Sequence, residues 1–279
     1  MLKKVIISIS TIPPRFDLLG RALNSLMNQK RRADEIHVYI PKAYKRFPEH
    51  AFILPNVPDG VHIKVVEKDF GPATKILPCV LANRNSNVRI IYGDDDRYAD
   101  FKWLDKILVA SAEKPDEVIV SQGMTLDDYG IKVKETLSPR AKKMQVWSNY
   151  KYICARANQK FTELLTGKKQ IKSGRSKYKK SGYVDFALGM GGVSVNPEFF
   201  DNECFEIPDT LWSVDDIWLS GCFKRQNINI WADRAIHVPI ETEAGNFSPL
   251  VFSEIEGKNR KQADLECIEY MRNQYGIWK

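Results

Sequence analysis

Four short runs rich in β-branched residues, Lys4 to Ile9, Glu35 to Ile40, Val61 to Val66 and Val88 to Tyr92, recur along the first hundred residues with helical or Pro-punctuated segments between them. Runs of this length and make-up read as strands. Between the first two, Leu19, Ala22, Leu23, Leu26 and Met27 share one face of a helix expected from Asp17, its cap, to Gln29. A Gly71-Pro72-Ala73-Thr74-Lys75 turn opens another helix toward Leu81, just ahead of the fourth strand. Strands that alternate with helices are joined by crossovers, and crossovers cover both faces of the sheet they build. The expected fold class is therefore α/β, a mostly parallel central sheet flanked by helices.

The second half is less regular. Trp103 to Ala112 reads as a helix, Glu117 to Ser121 as a short strand, and Asp127-Asp128-Tyr129-Gly130 as the turn of a hairpin. Val184 to Gly192 runs into Val193-Ser194-Val195, where Gly189, Gly191 and Gly192 mark backbone that comes close to a neighbouring strand or to a ligand. Ile228 to Ala232 is a further strand. Gln262 to Gln274 is a closing helix with Ala263, Leu265, Ile268 and Met271 turned inward. A chain of 279 residues with this pattern is read as one domain.

No apolar run approaches the roughly 18 residues of a membrane span, and Val5 to Ile9 is a first strand rather than a signal peptide. Five cysteines without paired spacing argue against a disulfide framework and a zinc site, which fits a reducing cytoplasm. The net charge of +7 is uneven: seven basic residues and no acid lie between Gly167 and Gly182, so the remainder is neutral. The Gly and Ser content of 168–180 reads as a mobile loop, for which a solvated linker, a nucleic-acid or membrane contact, and a lid over anionic substrate are the competing roles. It lacks the interleaved aromatics of a nucleic-acid platform. Contact with an anionic acceptor or an anionic membrane, at the inner face of which the chain would be peripheral, is the expectation; no nucleic-acid partner is expected.

Chemistry concentrates where the fourth strand ends, in Gly93-Asp94-Asp95-Asp96. Along an extended backbone Asp94 and Asp96 point the same way and can hold one divalent cation, Mn²⁺ or Mg²⁺, with Asp95 aimed elsewhere. Such an ion completes its shell with phosphate oxygens, which suggests a diphosphate-bearing ligand. In open α/β sheets ligands sit beyond the carboxyl ends of the strands, so the loops Ser10 to Arg15, Phe70 to Lys75 and Gly93 to Asp96 should converge, with Lys75 on phosphate. Neither G-x-G-x-x-G after the first strand nor G-x-x-x-x-G-K-[ST] anywhere is present, which sets dinucleotide and P-loop enzymes aside. A second acid pair, Asp215-Asp216, falls in the first turn of an apolar helical pattern, where capping and the helix dipole alone would favour it.

Taken in order, these positions resemble a GT-A type glycosyltransferase, in particular the bacterial enzymes related to the large inverting family 2. Asp94-Asp95-Asp96 resembles the DXD motif, Gly189 to Gly192 the glycine loop, Val214-Asp215-Asp216 the xED motif, and His237 the carboxy-terminal metal-binding histidine. Asp215 stands where the pattern has glutamate, one methylene shorter. The resemblance implies a nucleotide-sugar-binding half over 1–100, an acceptor half with a smaller mixed β region over 101–240, and a tail with a helix over 241–279. It also implies a nucleotide diphosphate sugar donor, a UDP-sugar, bound by Thr11, Pro13, Arg15, Lys75, Asp94 and Asp95. Metal would be held by Asp94, Asp96 and His237. Asp216 would be the catalytic base with Asp215 beside it, and a glycan, lipid-linked or protein acceptor would meet Gly191, Gly192, Trp212 and Asp215. Two rivals are a nucleotidyltransferase or phosphotransferase acting on a sugar or lipid phosphate, and a non-catalytic carbohydrate-binding protein on the same fold.

Overall fold

The computed structural model describes residues 3–134, 136–167, 174–250 and 257–279. Its strands are β1 (Lys4–Ser10), β2 (Glu35–Pro41), β3 (Val61–Val66), β4 (Val88–Tyr92), β5 (Arg97–Tyr98), β6 (Val118–Val120) and β7 (Gly123–Met124) in the first half. In the second half come β8 (Lys142–Lys143), β9 (Tyr178–Lys180), β10 (Gly182–Val184), β11 (Phe186–Ala187), β12 (Val193–Val195), β13 (Ile230–Ala232) and β14 (Ile240–Glu241). Six α-helices are described: α1 (Leu19–Met27), α2 (Leu77–Ala82), α3 (Trp103–Glu113), α4 (Tyr150–Thr166), α5 (Asp215–Arg225) and α6 (Arg260–Tyr275).

Eight strands form one sheet in the order β10-β13-β6-β12-β4-β1-β2-β3. From β3 through β4 every pairing is parallel; β12 runs against both of its neighbours, β6 and β13 are parallel, and β10 is an antiparallel edge. Six of the eight strands therefore share a direction, a mixed but mostly parallel sheet. Side-chain alternation divides the core between its faces. On one face Val5, Ile7 and Ile9 of β1 join Ile91 and Ile119 under Leu19, Leu23 and Leu26 of α1 and Trp103, Leu104 and Ile107 of α3. On the other, Ile6, Ile90, Val120 and Val193 lie against Leu77 and Val80 of α2, Ile217 and Trp218 of α5, and Ile268 and Met271 of α6. Ser8 falls on this second face at zero exposure, and its Oγ donates to the Lys75 carbonyl at 2.6 Å, so a buried hydroxyl is satisfied while it anchors the Lys75 loop.

Three local expectations need correction. Asp17 does not cap a helix: Pro13–Leu18 form a 3₁₀ turn that runs straight into α1, whose N-cap is Leu18. Asp127 to Tyr129 belong to a 3₁₀ turn capped by Thr125, and β7 pairs with β11 rather than folding back as a hairpin. The basic stretch is not one loop; 168–173 lie outside the described residues, and Tyr178–Lys180 pair with Lys142–Lys143. Among the described residues no helix is long and apolar enough to cross a membrane.

Candidate active site

The carboxyl ends of β1 and β4, the Lys75 loop, the amino end of α5 and the amino end of α6 surround a cavity of about 380 Å³. Its lining includes Thr11, Arg15, Lys75, the three aspartates of the triplet, Trp212, Asp215 and Asp216. Strand geometry stops at Tyr92, and Asp95 and Asp96 occupy a turn. The period of two therefore fails, and each aspartate takes its own direction. Asp94 Oδ1 lies 2.7 Å from Lys75 Nζ. Asp95 is buried, accepting from Thr11 Oγ1 and from Arg15 Nη1 at 2.6 Å. Asp96 shares Arg15 at 3.2 Å and has Arg97 Nε 3.0 Å from its Oδ1. Asp95 is thus the anchored member of the turn, not one aimed elsewhere.

Lys75 ties the triplet to the second acid pair. Its Nζ, almost without solvent exposure, is 3.0 Å from Asp215 Oδ2 as well as 2.7 Å from Asp94. Burial by itself would lower its pKa, but Asp215, Asp94 and Asp216 outweigh that and hold the ammonium charged. Burial likewise pushes Asp94 upward, and Lys75, with Arg97 and Arg15, more than reverses it. Asp216 is half-buried, and its Oδ1 accepts from the Gly189 backbone N–H at 3.0 Å. Burial and the neighbouring Asp215 push its carboxyl up to about 7, against opposing pulls from Lys75 and Arg260. Asp96 rises to about 6 through burial and Asp94.

The glycine loop packs against this arrangement in two ways. A β-carbon on Gly189 would meet Lys75 Nζ at 2.7 Å and Asp94 Oδ1 at 3.2 Å, so a side chain there would have to push the ammonium aside. Gly191 and Gly192 turn away from the cavity, whose lining here is Leu188 and Met190. A β-carbon on Gly191 would strike Ser121 Oγ, and Gly192, at φ +84°, would drive one into the Trp103 ring. Trp103 Nε1 and Ser121 Oγ both donate to the Gly191 carbonyl. Packing accounts for these two glycines, and neither is among the residues that line the cavity, where the acceptor contact is expected. Pro13 starts the 3₁₀ turn that presents Arg15 and does not itself line the cavity. Trp212 does, with its Nε1 donating to the Asp69 carbonyl at 3.3 Å.

His237 is set apart. Its Nδ1 lies 2.9 Å from Asp100 Oδ2, and it is not part of the cavity wall. Among the described residues no group of three or more histidine, cysteine or carboxylate side chains is placed to hold a metal ion. A cation held by one or two carboxylates and completed by ligand oxygens fits the lining better: among the described lining residues there are eight carboxylates and five basic side chains, and Asp96 Oδ1 is buried with Arg97 as its ion-pair partner. Burial, and after it the neighbouring carboxylates, push the Asp96 and Asp216 carboxyls up, and a dication beside them would oppose that.

Sequence reasoning missed the wall opposite Asp216. Arg260, at the first turn of α6, donates to the Ser213 carbonyl at 2.7 Å and pairs with Asp264 at 3.1 Å, while Tyr129 Oη donates to Asp264 at 2.9 Å. The signal was available: an Arg and an Asp four apart where a helix carries its apolar stripe. Arg97, directly after the triplet, was equally visible.

No protein-family model matches this chain, and no curated protein sequence does. Among solved structures the chain is similar to a crystal structure of S. aureus TarS, residues 1–349, at 12% identity and a TM-score of 0.44, over 98% of this chain and 72% of that one. The reading of the site rests on its own geometry.

Proposed function

We propose that this protein is a GT-A type glycosyltransferase that moves a sugar from a nucleotide diphosphate sugar, a UDP-sugar, to an acceptor hydroxyl with inversion. The observation that carries the reading is the Lys75 bridge, which joins the acidic turn after β4 to the acid pair opening α5 across one cavity. A phosphate site alone gives the distant acids no task; a transfer between a diphosphate donor and a hydroxyl needs both.

Asp216 is the base in this scheme. As the acceptor oxygen forms its bond to the anomeric carbon, Asp216 takes the hydroxyl proton, and the bond to the nucleoside diphosphate breaks with its electron pair leaving on the phosphate oxygen. A carboxylate with a pKa near 7 accepts that proton far better than an ordinary aspartate. The Gly189 N–H fixes one oxygen of Asp216 and leaves the other for the acceptor. Arg15 and Lys75 supply fixed positive charge where the diphosphate departs, and their pairing with the triplet keeps them oriented before substrate arrives. Asp94 and Asp96 would hold Mn²⁺ or Mg²⁺, which when bound neutralises charge on the diphosphate. A glycan, a lipid-linked glycan or a protein side chain is the acceptor class.

The test is UDP release from a panel of UDP-sugars with Mn²⁺, read together with the melting temperature of the protein against each donor. Donor-dependent release and a raised melting temperature support the reading. No release and no shift across the panel would overturn it.

A further inference from the structure

Helix α4 carries its apolar stripe on the wrong side for a globular protein. Tyr150, Ile153, Phe161, Leu164 and Leu165 recur at helical spacing and all face solvent, with Leu164 82% and Leu165 70% exposed. Just before it, Trp147 is 76% exposed. The half-buried positions, on the opposite side, are Tyr152, Ala155, Arg156, Gln159, Thr162 and Glu163, of which four are polar or charged side chains without an aromatic ring. A surface helix normally turns its stripe to the core. This one is well formed, with the Asn149 side chain accepting from the Tyr152 N–H and Gly167 closing it at φ +66°, so the outward stripe is not a frayed end. Contiguous apolar surface of this kind marks a place where something docks.

Charge identifies the occupant. From Lys142 to Lys180 the chain holds twelve basic residues and one acid, Glu163, more positive charge than the +7 of the whole protein. The helix is inserted between β8 and β9, which pair with Lys142 directly opposite Lys180. Like charges facing each other across a ladder destabilise it, and among the described residues neither lysine has an ion-pair partner. A second copy of this chain would bring the same positive charge to the contact and repel it. A nucleic acid would answer the charge and leave Phe161, Leu164 and Leu165 in water. A bilayer with anionic headgroups answers both, and Trp147 and Tyr150 suit the boundary between headgroup and hydrocarbon.

We infer that α4 lies in the plane of an anionic membrane surface, its stripe among the upper acyl chains and the β8–β9 lysines on the headgroups. This holds whether or not the protein transfers sugar, so the two readings fail separately. The experiment is co-sedimentation of the full chain with vesicles of phosphatidylcholine alone and of phosphatidylcholine with phosphatidylglycerol, at low and high salt. Partition into the anionic vesicles should exceed that into neutral ones by about tenfold or more and should weaken with salt. Leu164→Asn with Leu165→Asn should lower it by at least about tenfold, and Lys142→Gln with Lys180→Gln should lower it while leaving the circular dichroism unchanged. Trp147 fluorescence, isolated as the difference from Trp147→Phe, should shift to the blue on binding and be quenched by brominated lipid. Absence of partition into anionic vesicles overturns the inference, as does equal partition of the leucine variant. A self-association that the leucine variant abolishes, or RNA binding that it retains, without vesicle binding, also overturns it and assigns the face to a second copy or to nucleic acid.

Discussion

A β-carbon placed on Gly189 would stand 2.7 Å from the Nζ of Lys75. The glycine is thus fixed by the lysine it covers, and the lysine by the carboxylates on either side. Gly189→Ala should force the ammonium off the line between Asp94 and Asp215. Overpacking of this kind typically costs about 1–3 kcal/mol. In the proposed mechanism donor turnover should fall much further than stability, because the displaced charge is one of the two, with Arg15, assigned to the departing diphosphate. Melting temperature and UDP release measured on the same preparation check the two effects together.

Lys75→Met removes the bridge and leaves Asp94 and Asp215 in place without it. Breaking a buried pair by deleting one partner costs about 3–5 kcal/mol, since the remaining charge is uncompensated. Urea unfolding should show that loss. Adding Asp215→Asn to Lys75→Met should recover a large part of it, because Asp215 is the more deeply buried of the two acids. A double variant no more stable than the single one would mean that Lys75 does not carry the charge balance of the site.

Much of this was readable from periodicity. β1 to β4, α3, α5 and α6 lie within a few residues of where apolar spacing puts them, because each buries a face whose repeat matches its geometry. The convergence of the Ser10, Lys75 and Asp94 loops follows from the parallel order of β1 and β4. What spacing could not supply is pairing across the chain. Arg15 meets Asp95, and Lys75 meets Asp215, through contacts that only the folded sheet creates. The triplet misled because alternation is a property of strands, and the ladder ends before Asp94. Gly191 and Gly192 misled for another reason: a glycine required by Trp103 and one required by a ligand look alike in a sequence. The helix α4 escaped notice because its stripe answers to no core.

Asp216 gives the site a pH dependence whose sign can be worked out. In the base role proposed for it, Asp216 acts when deprotonated, so kcat/KM should rise about tenfold per pH unit below about 7 and flatten above it. Its folded pKa is raised above that of an unfolded aspartate, so its contribution to stability is full at low pH and is lost as pH rises through about 7. Asp216→Asn should therefore lose about 10²–10⁴ in rate, lose the acidic limb of the profile, and unfold less readily than the wild type at pH 8. A variant that keeps the limb places the titrating base elsewhere.

Asp96 and His237 separate two versions of the metal site. Both are expected ligands by resemblance, yet Asp96 lines the cavity, its Oδ1 paired with Arg97, while His237 is engaged with Asp100 outside it. If the cation sits on the triplet alone, Asp96→Ala should abolish Mn²⁺-dependent UDP binding, and His237→Ala should leave it within about twofold of wild type, as for a residue remote from the ligand. Isothermal titration of UDP with and without Mn²⁺ distinguishes the cases. Equal loss in both variants would require the 237 segment to move onto the cavity when donor binds, breaking the Asp100 pair; Asp100→Ala would then strengthen metal-dependent binding rather than leave it unchanged, since the imidazole would no longer be held away.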